Sequence, residues 1–278
     1  MNMIKICVTG NHGFIGRALQ NKLENMNYVV VGIDSWIFER DNWKLKLHEY
    51  LDSLNPDVVF HVGACSDTQN QDVVSMMNKN VESTYIISRW CKSKFVPLIY
   101  SSSASVYGNN NSPETLYAWS KYIGEKFVIN DGGVALRYFN VYGNYEIPKG
   151  KMASVACQSF LKHKNGETVK IFPNKPERDF VYIEDVISAN IHAWQNFSEL
   201  KGTWYDVGTG ESRSFEDVLN IMNIPFEYTS EEDIPNNYQM VTKADINTFM
   251  PNWTPKYMID KGVLEYYDLL KVSTAPII

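Results

Sequence analysis

The sequence predicts an α/β fold built on a doubly wound parallel sheet, with a smaller C-terminal domain interleaved with it. In the first half of the chain, short apolar runs alternate with segments of helical periodicity. A glycine-rich turn joins the first strand to the first helix, and polar residues follow the ends of several strands. This alternation is typical of parallel sheets that are covered by helices on both faces.

Each element of the first half is predicted from its apolar pattern. Short apolar runs indicate strands at residues 3–9, 28–33, 57–62, 95–100 and 133–138. Apolar residues at helical spacing indicate one helix that begins at Ile15 and three further helices over residues 43–54, 73–91 and 117–129. Segment 35–56 is short for a helix–strand–helix connection, so the sequence leaves open whether a third strand is present.

The second half is less regular. Residues 149–164 and 185–195 predict helices, and residues 168–172, 178–182 and 204–208 predict strands. We therefore expect two domains. Residues 1–145 with about 177–208 form the sheet domain, and about 146–176 with 209–278 form the smaller domain.

Composition narrows the classes of function. The chain has 278 residues, of which 44% are hydrophobic, and a formal net charge of −6. An acidic chain lacks the basic face that nonspecific nucleic-acid binding needs. No apolar run approaches the ~20 residues of a membrane span, and the start of the sequence enters a strand without a signal peptide. We expect a cytoplasmic protein without a nucleic-acid or membrane partner.

The cysteines and histidines do not suggest a metal site. Cys7, Cys65, Cys91 and Cys157 are scattered, without the paired spacing of a zinc site or a disulfide framework. The histidines lack a shared helical spacing. We expect reduced thiols and no metal.

The first turn has the spacing of a dinucleotide-binding motif. Gly10, Gly13 and Gly16 lie between a predicted strand and a predicted helix, which is the context that gives such a triplet meaning. They permit the tight turn, the approach of the backbone to a pyrophosphate, and close packing of helix on strand. Asp34 ends the next strand, where an acid can bind an adenosine ribose. The alternative is a structural turn and a solvated Asp34.

Tyr117 and Lys121 are four residues apart on a predicted helix. Residues at this spacing share a helix face, so the ammonium can lie beside the phenol and favour its ionised form. Ser103, in the preceding loop, can share a proton with the phenol and a substrate hydroxyl. With a nucleotide cofactor, this group suggests hydride transfer from a carbinol. The alternative is a chance pair on a helix surface.

These motifs together resemble the extended short-chain dehydrogenase/reductase family, which contains nucleotide-sugar epimerases and dehydratases. The segments that carry the resemblance are 10–16, 101–108, 117–121, 136–143, 178–182 and 207–210. The resemblance implies a Rossmann domain and a catalytic group of Ser103, Tyr117 and Lys121. It also implies a tightly bound NAD or NADP. A mild departure is Ser83, where the family often has Gly.

The resemblance also implies a set of cofactor-binding residues: Gly10, His12, Gly13, Phe14, Ile15, Gly16, Asp34, Ser35, Arg40, Val62, Gly63, Ala64, Ser66, Asn80, Tyr117, Lys121, Tyr138 and Val141. The choice of cofactor stays open. Asp34 favours NAD, whereas Arg40 or Lys44 could meet the 2′-phosphate of NADP.

Within the family, segments 61–66 and 149–156 are most similar to the ADP-L-glycero-D-manno-heptose 6-epimerases. This similarity implies that Lys149 is a second acid/base, although a solvated surface lysine is an equal alternative. It implies substrate contacts at Asn140, Lys151, Gln158, Phe172, Arg178 and Tyr238. Lys151 and Gln158 depart from the residues usual there, so the activity class carries over better than the exact sugar.

The alternatives are sibling chemistries. A 4,6-dehydratase needs an Asp-Glu pair where this chain has Ala104 and Ser105. A UDP-glucose 4-epimerase-like enzyme needs only the tyrosine and stays the runner-up. A catalytically inactive dinucleotide-sensing protein would usually lack Tyr117 or Lys121. The resemblance also implies a homo-oligomer, at least a dimer, which pairs helices 73–91 and 117–129.

Overall fold

The computed structural model describes residues 3–235 and 238–273. The chain divides into two compact units. The first contains the chain up to Arg137 together with Ile187–Asp206, and the second contains Tyr138–Val186 and the chain from Val207 onward. The assignment of cofactor binding to one domain and substrate binding to the other stays a prediction. In the described ranges, no helix is long and apolar enough to span a membrane.

In chain order, the strands are β1 (Lys5–Thr9), β2 (Val29–Ile33), β3 (Val58–His61), β4 (Leu98–Ser103), β5 (Val134–Tyr138), β6 (Asn140–Tyr142), β7 (Val169–Ile171), β8 (Glu177–Arg178), β9 (Phe180–Tyr182), β10 (Thr203–Val207), β11 (Arg213–Ser214) and β12 (Phe226–Tyr228). The helices are α1 (Phe14–Asn25), α2 (Trp43–Leu54), α3 (Val73–Met76), α4 (Ser83–Lys94), α5 (Leu116–Asn130), α6 (Val155–Lys164), α7 (Ile183–Gln195), α8 (Phe197–Leu200), α9 (Phe215–Ile221) and α10 (Ile259–Ser273).

The predicted fold class is confirmed. The first unit is built on a six-stranded sheet in the order β10-β5-β4-β3-β1-β2. β1 pairs in parallel with both β2 and β3, and β3 pairs in parallel with β4. The sheet is flanked by helices. Its central strands are almost fully buried, as expected for a parallel sheet with both faces covered.

The third strand that the sequence left open is absent. Between β2 and β3 the chain forms a short 3-10 helix, Ser35–Glu39, and then α2, so β2 is the last strand of the sheet. Leu47 and Leu51 lie one turn apart on α2 and are fully buried, with Ile37 of the 3-10 helix in the same core cluster. Apolar burial by this helical segment takes the place of a strand.

The helix predicted over 73–91 is interrupted by a π-turn. α3 continues through a π-helical segment, Met77–Glu82, into α4. The strand predicted from residue 95 begins three residues later, because Phe95 ends α4 in the left-handed conformation. The helix predicted over 149–164 is wrong in its first part. Ile147–Met152 forms a 3-10 helix with non-helical backbone at Gly150, and α6 starts only after Ser154, whose side chain caps it.

Within residues 138–186, 207–235 and 238–273, the second unit contains three small sheets. β6 pairs in parallel with β9, β7 pairs in parallel with β12, and β8 pairs antiparallel to β11. Its core contains three fully buried tyrosines, Tyr142, Tyr182 and Tyr266. The Tyr142 ring lies 5.3 Å from that of Tyr182 and 6.1 Å from that of Tyr266.

Candidate active site

The predicted cofactor residues of the first unit follow successive strands of the sheet. Parallel strands present their carboxyl ends at one edge, where ligands of open α/β sheets bind. After β1 come Gly10, His12, Gly13, Phe14, Ile15 and Gly16; after β2 come Asp34, Ser35 and Arg40; after β3 come Val62, Gly63, Ala64 and Ser66. Tyr138 ends β5, and Val141 lies in β6 of the second unit.

The glycine turn leaves no room for side chains. Gly10 has a positive φ of 67°, and a Cβ there would lie 2.5 Å from the Cα of Gly63. A Cβ on Gly16 would lie 2.1 Å from the carbonyl oxygen of Gly10. Both distances are well inside van der Waals contact. The sequence therefore needs glycine at these positions for the backbone to make the turn.

The amino end of α1 suits an anion. Its N-cap residue is Gly13, which has no side chain to accept from the first turn, and that turn contains no acidic residue. The positive end of the helix dipole is therefore not neutralised locally. This is the arrangement that binds a pyrophosphate in dinucleotide sites. The residues present fit a nicotinamide dinucleotide.

Asp34 is fixed in place by the glycine turn. Its carboxylate accepts hydrogen bonds from the backbone N–H of His12 at 2.9 Å and of Ser35 at 2.7 Å. A carboxylate has about four lone-pair directions, so capacity remains for a ribose hydroxyl. Lys44 makes an ion pair with Glu82 at 3.1 Å. The guanidinium of exposed Arg40 lies 5.7 Å from the Trp36 ring.

The side chain of Asn80 is taken up by protein contacts. Its Oδ1 accepts from Cys65 N at 2.7 Å, and its Nδ2 donates to Cys65 O at 3.0 Å and to Ser120 Oγ at 2.9 Å. Asn80 lies in the π-turn and ties the loop after β3 to α5. The structure therefore gives it a role in holding the loop.

The structure brings Ser103 and Tyr117 into hydrogen-bond contact, and Lys121 lies one turn further along α5. Ser103 ends β4, and Tyr117 and Lys121 lie in α5. A hydrogen bond with Ser103 lowers the pKa of Tyr117, but burial is the larger effect and the pKa is raised overall. The Nζ of Lys121 donates to the carbonyl oxygen of Ser101, and the acidification of the phenol by Lys121 stays a prediction.

Lys121 is buried against β4. Its Nζ donates to the carbonyl oxygen of Ser101 at 2.7 Å and lies 4.9 Å from the centre of the Tyr100 ring. Burial lowers the pKa of Lys121 to about 7. A buried amine with such a pKa can gain and lose a proton near neutral pH.

Three predicted substrate residues cluster in the second unit. Arg178 is 8% exposed, and its guanidinium lies 4.9 Å from the Tyr238 ring. Phe172 packs edge-on against Tyr238 at 5.2 Å. The guanidinium donates to the carbonyl oxygens of Glu177 and Met240. Across residues 3–235 and 238–273 it has no carboxylate within ion-pair distance, so its charge is available to an anion.

The other predicted substrate residues lie elsewhere in the second unit, with Asn140 in β6, Lys151 on the loop before α6 and Gln158 in α6. Asn140 is exposed, and its Oδ1 accepts from Thr242 Oγ1 at 3.3 Å. Gln158 donates to the carbonyl oxygen of Lys151 at 3.2 Å. Lys149 is half-buried on the same loop. Burial lowers the pKa of Lys149, while the nearby Glu146 raises it.

The comparison with protein families settles where this fold belongs. A sequence model described as the NAD dependent epimerase/dehydratase family matches residues 6–208. The chain belongs to the NAD-dependent epimerase/dehydratase family. This membership and the heptose-6-epimerase relatives described below together indicate an isomerase of the epimerase type.

Relatives of this family member cover nearly all of its length. The ADP-L-glycero-D-manno-heptose-6-epimerase of Brachyspira hyodysenteriae is 34% identical over 96% of this chain and 98% of that protein. The crystal structure of the Helicobacter pylori ADP-L-glycero-D-manno-heptose-6-epimerase has 30% identity and a TM-score of 0.83, covering 98% of this chain and 97% of that one. A Thermotoga maritima UDP-glucose 4-epimerase shares the fold, with a TM-score of 0.84 at 21% identity over 98% of this chain and 100% of that chain.

A buried ion pair that was not predicted from the sequence lies next to the predicted catalytic residues. Arg137 donates two hydrogen bonds to Glu125, at 2.9 and 2.6 Å, and Ser102 donates to the same carboxylate at 2.8 Å. The guanidinium also lies 3.6 Å from the centre of the Trp204 ring. Glu125 is one turn beyond Lys121, and Ser102 precedes Ser103. This spacing in the sequence is a signal that Glu125 lies close to the predicted catalytic residues.

Proposed function

We propose that the chain is a nucleotide-sugar epimerase that inverts the C6 centre of an ADP-glycero-manno-heptose by transient oxidation. The group of Ser103, Tyr117 and buried Lys121 carries this proposal. Two relatives at 30% identity or more are 6-epimerases. The similarity to the UDP-glucose 4-epimerase, at 21% identity, supports only the assignment of the fold.

Tyr117 takes the proton from the sugar hydroxyl, and Ser103 orients the oxygen through its own hydroxyl. Lys121 holds the ribose and takes part in the proton movement, because its amine has a pKa of about 7. When bound, NAD would supply the acceptor for the hydride from the sugar carbon and the donor that returns the same hydride to the other side of the carbonyl, so that no net oxidation results. The carbonyl oxygen regains its proton from a second acid/base, for which Lys149 is the candidate.

The substrate nucleotide is recognised through its charge. Arg178 offers a buried guanidinium beside two aromatic rings, Phe172 and Tyr238. A guanidinium binds two phosphate oxygens at once, so we assign it to the pyrophosphate. Asn140, Lys151 and Gln158 are assigned to the remainder of the nucleotide sugar.

NAD is the favoured cofactor. Asp34 would repel a 2′-phosphate, and Lys44 is already paired with Glu82. The cofactor is held tightly, because the hydride must return to the same sugar. We assign the enzyme to cytoplasmic carbohydrate metabolism as a homo-oligomer, on the basis of the resemblance alone.

The test is incubation of the purified protein with ADP-, GDP-, UDP- and dTDP-sugars, with the configuration of each carbon followed by NMR. We expect inversion at C6 of the ADP-heptose and no turnover of UDP-glucose. Inversion at C4 of a UDP-sugar would establish the 4-epimerase alternative. Tight dinucleotide binding with no product from any sugar would indicate a sensing protein.

A further inference from the structure

The loop that carries Lys149 is closed by one buried carboxylate. Glu146 lies just before this loop and is 0% exposed. Its Oε2 accepts from Ser154 N at 2.6 Å, and its Oε1 accepts from Ser154 Oγ at 2.7 Å and from Gly143 N at 3.1 Å. A single side chain therefore holds the two ends of loop 147–153 together.

Lys149 is directed inward from this loop. Ile147, Pro148, Gly150 and Lys151 are exposed, whereas Lys149 is half-buried. Its backbone N–H donates to the carbonyl oxygen of Glu146 at 2.8 Å. Glu146 thus fixes the turn from which the lysine side chain departs.

Glu146 is also the charge that faces the amine. The groups that influence Lys149 are Glu146 and Cys157. Burial raises the pKa of Cys157 to about 11, and it raises the pKa of Tyr266, which lies beside the carboxylate. Burial raises the pKa of Glu146 as well, while the hydrogen bonds from Ser154 and Gly143 lower it. Burial lowers the pKa of Lys149, and Glu146 is the largest of the groups that raise it.

We propose that Glu146 is the positioning residue for Lys149, closing the loop that directs the amine and stabilising its charged form. The catalytic part of this inference rests on the proposed function, in which Lys149 is the second acid/base. The coupling between Glu146 and Lys149 does not rest on it, because it follows from the closure of the loop by Glu146, from the backbone hydrogen bond between the two residues, and from the influence of Glu146 on the pKa of Lys149.

The test measures Lys149 directly. Reductive methylation with ¹³C-formaldehyde labels the lysines, and Lys149→Arg assigns the resonance of Lys149. In Glu146→Gln the titration midpoint of this resonance should fall by about one pH unit, as expected for loss of a nearby opposite charge. The pH profile of kcat should move the same way, with kcat about tenfold lower and KM changed less than threefold. Glu146→Asp keeps the charge, so the titration midpoint of Lys149 in this variant should stay close to its wild-type value.

Asp185→Asn is the matched control. Asp185 is a buried carboxylate of the same unit that accepts backbone hydrogen bonds from Lys256 and Tyr257. The Lys149 midpoint should be unchanged in it. An unchanged midpoint in folded Glu146→Gln, or an equal shift in Asp185→Asn, would overturn the proposal.

Two further variants separate the outcomes. If Glu146→Gln does not fold, Ser154→Ala weakens the closure by removing the Oγ hydrogen bond, while the hydrogen bond from the backbone N–H of residue 154 and the charge of Glu146 remain. The kcat of this variant should fall by a small factor with little change in midpoint, and an unchanged kcat would refute the positioning role. Full turnover in Lys149→Met would remove the catalytic role of the lysine, and the titration would still report the coupling. The failure of the proposed function and of this inference can therefore be told apart.

Discussion

At the scale of the residue, the catalytic chemistry depends on burial. The sequence predicted that Ser103, Tyr117 and Lys121 would meet, because a strand end and one helix turn fix their spacing. It could not predict that Lys121 would donate to Ser101, because that contact depends on the depth at which α5 packs on β4. The low pKa of the amine follows from that depth.

Replacing Tyr117 by Phe should abolish turnover while leaving the fold and cofactor binding intact. The phenol oxygen is the proposed proton acceptor, and the ring itself is preserved. We expect at least a thousandfold loss of kcat, by order of magnitude for a residue of a cooperative catalytic group. NMR of the sugar and fluorescence titration with NAD measure the two properties. Wild-type turnover in this variant would remove the assignment.

Lys121→Met should stabilise the protein without cofactor and eliminate catalysis. In the part of the chain that the structure describes, the buried amine has no carboxylate partner. Methionine matches its length without the cost of desolvating a charge. We expect a gain of about 1 kcal/mol in the free energy of unfolding, read by urea denaturation. A loss of stability in Lys121→Met, with Lys126→Met on the same helix unchanged, would contradict this expectation.

His61 should make stability depend on pH. It lies 2.7 Å from Thr9 Oγ1 and 2.8 Å from Thr84 Oγ1, and burial lowers its pKa from 6.5 to about 3. Between these values the unfolded chain binds the proton and the folded one does not. The contribution of neutral His61 to the free energy of unfolding is therefore complete above pH 6.5 and is lost as the pH falls towards 3.

The slope of the free energy of unfolding against pH that is due to His61 approaches ~1.4 kcal/mol per pH unit well inside this window. Urea unfolding at pH 7.5, 6 and 5 measures it. In His61→Gln the free energy of unfolding should be lower at pH 7.5 but less dependent on pH. The same dependence in His61→Gln as in the wild type would show that other groups cause it.

At the scale of the element, the sequence located most strands and helices and failed where local backbone chemistry overrides periodicity. The π-turn after α3 preserves the apolar spacing, so the pattern looked like one helix. The break before α6 depends on Gly150 and on the cap at Ser154. The sequence contained both residues, but the carboxylate of Glu146 that holds Ser154 is visible only in the folded chain.

Gly16→Ala should disrupt the first turn. The added methyl would lie 2.1 Å from the carbonyl oxygen of Gly10, which is backbone and cannot rotate away. We expect a loss of at least ~2 kcal/mol in the free energy of unfolding and weaker NAD binding. Arg17→Ala, on the exposed face of the same helix turn, is the control. Near-identical melting and NAD binding in the two variants would be inconsistent with the close packing.

At the scale of the whole molecule, the cofactor should act as part of the structure. A ligand that binds only the folded chain stabilises it by mass action. NAD at 100 times its Kd should add about 2.7 kcal/mol to the free energy of unfolding. NADP at the same concentration should add less, because Asp34 disfavours a 2′-phosphate. Chemical denaturation with each dinucleotide measures this, and a larger effect of NADP would reverse the cofactor assignment.

The contact between Gly10 and Gly63 limits how this enzyme can change over generations. The backbones of the two glycines are in direct contact, and a Cβ placed on Gly10 would lie 2.5 Å from the Cα of Gly63. Neither has a side chain that could be trimmed to accommodate the other. A selection for suppressors of Gly10→Ala should therefore recover revertants at codon 10 and none at codon 63.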